Sequence, residues 1–213
     1  MNVDEGRAPS PLEEGVATKQ SPVAPQRAIE RLVREHDNIA QLLVVLDSQF
    51  ASIARGDDEA DDGLIRDAMT YMTDFVDNFH HGKEDLAVAS VADRVESVRP
   101  LQKELNGQHL RIREAGRTLT AELERMLLDE PVRRRELATI GFDYAAQVRR
   151  NMEFEEGRVF PRLMEGFDEE ACARIDARLG SPPDPLFGPA VHARYRALFQ
   201  TLRRRIGIDS DWP

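Results

Sequence analysis

Met69-Thr70-Tyr71-Met72-Thr73-Asp74-Phe75-Val76-Asp77-Asn78-Phe79-His80-His81-Gly82-Lys83-Glu84 is the stretch from which the fold reads outward. Met69, Met72, Phe75, Val76 and Phe79 recur at steps of three and four, the spacing of a helix with one apolar face. His80 and Glu84 continue that stripe, and their HxxxE spacing sets an imidazole and a carboxylate one turn apart on the same face. That is metal-ligand spacing. Burying even a merely polar group without a partner costs roughly 2 to 7 kcal/mol, and a carboxylate more, so a Glu on an inward face implies a counter-charge. A cation is the natural candidate.

The same period occurs in three other segments. From Ala28 to about Ala54, Ile29, Leu32, Val33, Ile39, Leu43 and Leu46 share a face with His36, and the acidic run from Gly56 to Gly63 ends it. The segment quoted above extends from about Leu64 to Ala89, with a weaker continuation toward Val98. Pro100 suits the first turn of a third helix, reaching about Leu128 through Leu101, Leu105, His109, Ile112 and Leu119. Pro131 opens a fourth, in which Ile140, Tyr144, Val148, Asn151 and Glu155 share a stripe and Pro161 marks the close. No strand pattern and no internal repeat is visible.

The expectation is an all-α protein: an up-down-up-down four-helix bundle with an extra C-terminal helix and a disordered N-terminal tail. Residues 1–26, rich in Pro, Gly and Ser without an apolar period, form the tail. Residues 27–165 form the bundle, and 166–213 form a helical extension packed on it. Every predicted helix of the bundle turns at least one polar residue inward: His36, then His80 and Glu84, then His109, then Asn151 and Glu155. A lone core histidine is usually just hydrogen-bonded. Three histidines and two glutamates at one level of a bundle core are the raw material of a metal site.

Composition narrows the function. A net charge of -10 over 213 residues disfavours nucleic acid or an anionic membrane as partner, and Arg203-Arg204-Arg205 reads as a solvated helix end. No stretch approaches the ~20 apolar residues of a membrane span, and no basic-then-apolar leader opens the chain, so a cytoplasmic protein is expected. The single cysteine, Cys172, permits no internal disulfide or CxxC chemistry and reads as a small apolar residue under a short helix.

The spaced combination resembles the hemerythrin-like, or HHE cation-binding, family over most of the chain. His36-Asp37-Asn38-Ile39, His80 through Asp85, His109, and Glu155-Glu156-Gly157-Arg158-Val159-Phe160-Pro161 fit its pattern. Asp184-Pro185-Leu186-Phe187-Gly188 and the following segment with Val191, Tyr195, Leu198 and Leu202 look like a tail found in one bacterial branch, packed on the bundle. The resemblance implies a non-haem di-iron centre with His36, His80, Glu84, His109 and Glu155 as ligands, the two glutamates bridging. It further implies a small diatomic ligand, dioxygen or nitric oxide, or iron storage, redox sensing or peroxide chemistry.

Asn151 departs from the pattern, which calls for histidine there. Its neutral amide oxygen is a weaker iron ligand than imidazole, leaving an asymmetric di-iron site, a mononuclear site on His36, His80 and a glutamate, or a site without metal. Neither Met152 nor Glu153 shares the face of Asn151 and Glu155. Leu86-Ala87-Val88-Ala89-Ser90 replaces the family's Leu-Phe-Pro ending after Glu84 and should lengthen the second helix. His81, about 100° around from His80, is expected to face a neighbouring helix or water and to support the ligands rather than join them. Tyr144 is a second supporting candidate, through its hydroxyl, and His192 falls in the C-terminal helix. The main alternative function is a helical regulatory or interaction protein on a degenerate metal site. An enzyme is the least favoured class, since no phosphate loop, GxSxG or HExxH appears.

Overall fold

The structure, a computed structural model, describes residues 24–57, 60–128 and 133–206, and among these every regular element is helical. Four rods carry the molecule. The first is α1 (Ala24–Arg55). The second is α2 (Asp62–Tyr71), which runs through a π-helical stretch (Met72–His80) into α3 (His81–Ala92). The third is α4 (Arg99–Leu127), and the fourth is α5 (Arg134–Phe154), continued by a π-helical turn (Glu155–Val159) into the short α6 (Phe160–Leu163). Two smaller helices follow, α7 (Glu169–Leu179) and α8 (Arg196–Ile206).

Local chemistry sets the rod ends. Gly56 adopts φ 76°, and the Gly56 and Asp57 amides bond back to the Ile53 and Ser52 carbonyls, which closes α1 with a left-handed cap. Asp61 accepts from the Leu64 amide at 2.9 Å and starts α2. Pro100 sits in the first turn of α4, where its missing N–H is harmless.

Two boundaries differ from expectation. α1 begins at Ala24, so Ala24, Pro25 and Gln26, assigned to the tail on composition, form its first turn with Pro25 buried. A proline is tolerated there because first-turn amides have no helical acceptor. The remaining tail, residues 1–23, and Pro131 lie outside the described residues. Pro161 does not close the fourth rod, which continues to Leu163. The Phe160 amide reaches five residues back to the Glu155 carbonyl, and Pro161 falls in the first turn of the renewed helix, where no donor is missed. The second rod does run on past Ser90, to Ala92, as its apolar sequence suggested.

In the packed bundle α1 borders α2 and α5, while α4 borders α2, α3 and α5. At the α1–α5 seam, a Cβ on Gly141 would stand 2.6 Å from the Phe50 ring, so only glycine admits this approach. α7 lies against α3 and α1, and α8 lies against α1 and α2. Leu186, Phe187, Tyr195, Leu198 and Leu202 are buried in that extension and Val191 is partly so. The Tyr71 hydroxyl donates to Asp184 at 2.9 Å and ties the extension to the bundle. No described helix is long and apolar enough to cross a membrane.

Candidate metal centre

Two apolar clusters fill the core, and a polar layer separates them. Along α1, Leu32 belongs to one cluster and Ile39 to the other, with His36 between. Val76 and Ala87 bracket His80 and Glu84, Leu105 and Ile112 bracket His109, and Val148 and Val159 bracket Asn151 and Glu155. All of these polar residues are buried. Each fully packed aliphatic side chain above and below is worth roughly 1.5 to 3 kcal/mol, and together they hold the expensive polar layer in place.

The two glutamates stand at the centre. Glu84 Oε1 lies 3.3 Å from His36 Nε2 and 3.5 Å from His80 Nε2, and its Oε2 lies 3.5 Å from His109 Nε2. Glu155 Oε1 accepts from His109 Nε2 at 2.9 Å, while Oε2 stands 3.3 Å from His36 Nε2. The histidines are correspondingly close: ring centroids are 4.9 Å apart for His36 and His80, and 5.6 Å for His80 and His81. All six residues predicted to converge do so.

Carboxylates that sequence reasoning did not single out surround this centre. His36 Nδ1 donates to Glu156 at 2.8 Å, His80 Nδ1 to Glu35 at 2.8 Å and His109 Nδ1 to Asp85 at 2.8 Å. These pairs fix each ring with Nε2 toward the centre, the arrangement that orients imidazoles for a metal. Glu35 in turn accepts from Arg31 at 3.0 Å and faces the Lys83 ammonium at 3.6 Å. The signal in the sequence was slight: Glu35, Asp85 and Glu156 each neighbour a predicted ligand, but each supports a histidine of a different rod.

His81 turns further inward than expected. Of the two settings foreseen, a neighbouring helix or water, it takes the first: it is buried, with its ring stacked on His109 of α4 at 4.1 Å and 18° between planes. One ring nitrogen lies within 4.8 Å of ligand atoms of both Glu84 and His109. Its Nδ1 stands 3.2 Å from Asp77 Oδ1, off the line of a hydrogen bond. The π-helical stretch ending at His80 explains the difference. Its i to i+5 bonds, such as His81 N–H to the Val76 carbonyl, turn the chain less per residue than an α-helix, so adjacent side chains can both face inward.

Asn151 points its amide into the same layer. Nδ2 donates to Glu155 Oε1 at 2.9 Å and lies 3.4 Å from Gln108 Oε1, while its own Oδ1 is buried without a partner. Met152 is buried with the apolar side chains and Glu153 is exposed, so neither stands in for it. Tyr144 is buried against Gly116, and no described contact joins it to the central imidazoles or carboxylates; burial and the nearby Asp77 charge raise its pKa. His192 caps a short turn before α8, exposed and outside the layer.

The ionisable groups of the layer are strongly coupled. Burial and the adjacent Glu155 push Glu84 up, whereas Glu155, despite burial, is held low by His109 and His36. Burial pulls His36 down, yet hydrogen bonds with Glu155 and Glu84 carry it up to about 11; His109 rises to about 10 against burial through Asp85 and Glu155. Glu35, opposed by burial, falls to about 2 beside His80. Burial, followed by the His109 and His80 charges, keeps His81 well below its ordinary range, and therefore neutral with a free lone pair. Oxygens Glu84 Oε2, Glu155 Oε2 and Asn151 Oδ1 are buried without hydrogen-bond partners. Buried acceptors in this state are rare, and ligand sets of His36, His80 and Glu84, and of His81, Glu84 and His109, lie ready to hold a cation.

Comparison with known proteins agrees. The family described as the hemerythrin HHE cation binding domain matches residues 27–163. No curated protein and no solved structure gives a significant match.

Proposed function

This chain belongs to the hemerythrin HHE cation-binding family, and from that premise we propose that its buried layer is a non-haem dinuclear iron centre serving to bind or sense dioxygen or nitric oxide. One observation carries the reading. Glu84 and Glu155 are fully buried side by side, touched by imidazoles of three rods, and each keeps one oxygen without a hydrogen-bond partner. Two such carboxylates repel each other unless positive charge lies between them, supplied by protonated His36 and His109 or by bound cations, and carboxylate with imidazole is a donor set that suits iron.

His36 and His80 would hold one ion and His109 the other, with Glu84 and Glu155 shared. When bound, iron supplies an electron-rich centre with a position open to a diatomic molecule. The chain's own residues provide the setting. Glu156, Glu35 and Asp85 keep the three imidazoles turned inward, and the two apolar clusters exclude bulk water. Phe160 stacks on His36 at 5.5 Å and closes one flank with a side chain that offers no competing donor.

The test is iron per chain after anaerobic loading with ferrous iron, followed by visible spectra under nitrogen, air and nitric oxide. Stoichiometric iron with a spectrum that changes with the gas supports the reading. A helical regulatory protein on a degenerate site is the second reading, favoured by one observation: Asn151 satisfies Glu155 Oε1 without a metal. It requires less than about a tenth of an iron per chain in the same loading.

A further inference from the structure

Asn151 removes an imidazole from the second ion's surroundings, and the geometry points to His81 as its replacement: we propose that His81 and His109 together ligate one ion, opposite His36 and His80 on the other. The inference rests on the dinuclear reading above.

Three observations carry it. The first is placement: a ring nitrogen of His81 lies within 4.8 Å of ligand atoms of Glu84 and His109, and His109 faces Glu84 Oε2 whereas His36 and His80 face Oε1. The second is the stacking of His81 on His109, 4.1 Å apart and 18° from parallel. The contact brings imidazoles of two neighbouring rods together at the edge of Glu84, so a turn of either ring would aim both at one ion. The third is outer support. Every other imidazole of the layer hydrogen-bonds a carboxylate through its Nδ1, and His81 Nδ1 has Asp77 Oδ1 at 3.2 Å, not in hydrogen-bond alignment but near enough that a small turn of the ring would bring it there. Asp77 lies one turn before His81 on the same rod, so the support needs no other rod. With Nδ1 turned to Asp77, Nε2 would be the nitrogen left to ligate.

The assignment gives each ion two imidazoles and both glutamates, which position 151 could not do. Asn151 is left as a hydrogen-bond donor that steadies Glu155. A histidine at the start of α3, just past the π-helical stretch, thus stands in for the one that α5 does not provide, across the bundle.

The experiment compares wild type, His81→Gln, Asp77→Asn and the double variant His81→Gln/Asn151→His, each titrated anaerobically with ferrous iron. Wild type should take up two irons and His81→Gln one. Asp77→Asn should weaken the second equivalent by about 10- to 100-fold, as loss of an outer partner does. The double variant should recover two irons, because the imidazole returns at position 151. In proton NMR of the ferrous protein, each ligating imidazole keeps one exchangeable N–H, so four paramagnetically shifted exchangeable signals are expected. Two irons at wild-type affinity in His81→Gln would overturn the assignment while leaving the dinuclear centre intact. Three signals in wild type would overturn it even if His81→Gln fails to fold. A wild-type protein that takes up no iron removes the dinuclear reading itself, and this inference with it.

Discussion

Asn151 donates a hydrogen bond from Nδ2 to Oε1 of Glu155, 2.9 Å away and one helical turn later, so the residue at this position spends its polar group on a carboxylate. A histidine leaving α5 at the same angle would instead direct a ring nitrogen at the layer's centre. With His81 in the ligand set, Asn151→His alone should leave iron at two per chain. It should also shift the spectrum of the loaded protein, because one ion acquires another nitrogen. Elemental analysis and absorption of the two proteins check this, and a rise in iron per chain would show that the wild-type second position is empty.

Glu84 is the residue that the site can least spare. Glu84→Gln is nearly isosteric and removes the buried carboxylate that burial and then the adjacent Glu155 push up. The variant should remain folded without metal yet lose iron binding, since an amide neither neutralises nor bridges two cations. Circular dichroism together with elemental analysis separates folding from metal uptake. Wild-type iron stoichiometry in this variant would make the carboxylate structural.

Metal should stabilise the bundle by mass action. At free ferrous iron about 100-fold above Kd, one site adds about 2.7 kcal/mol, which corresponds to a rise in Tm of about 5 to 11 °C for a chain of this size. A chelator should reverse the rise. His36→Ala, which removes an imidazole touching both Glu84 and Glu155, should show a much smaller shift under the same iron concentration. Calorimetric scans with and without chelator provide the measurement.

The attachment of the extension can be tested apart from the metal. Tyr71→Phe removes the hydroxyl that donates to Asp184 at 2.9 Å and leaves a half-buried carboxylate with one partner fewer. The expected loss is about 1 to 3 kcal/mol of unfolding free energy, with iron per chain unchanged. Urea denaturation of the two proteins decides it; unchanged stability would mean that water replaces the hydroxyl.

Overpacking at the α1–α5 seam should be costly as well. Gly141→Ala places a methyl group where the Phe50 ring stands 2.6 Å away, so Phe50 or the helix must shift. A loss of about 1 to 3 kcal/mol is expected in the same denaturation assay.

Sequence periodicity determined the rods and the phase of their inward residues. A residue's place on a helical face follows from its number, so His36, His80, Glu84, His109, Asn151 and Glu155 were legible as one inward set before any rod was placed beside another. The departure at Asn151 was legible for the same reason. What the periodicity could not contain is whatever one rod does to another. The pairings of Glu35 with His80, Asp85 with His109 and Glu156 with His36 cross between rods and depend on how those rods are turned against each other. The π-helical turns at Met72–His80 and Glu155–Val159 break the assumption of 100° per residue at the places where the metal layer forms. That local change in pitch, not visible in residue spacing, brings His81 inside, and so only the tertiary structure decided how many imidazoles this layer holds.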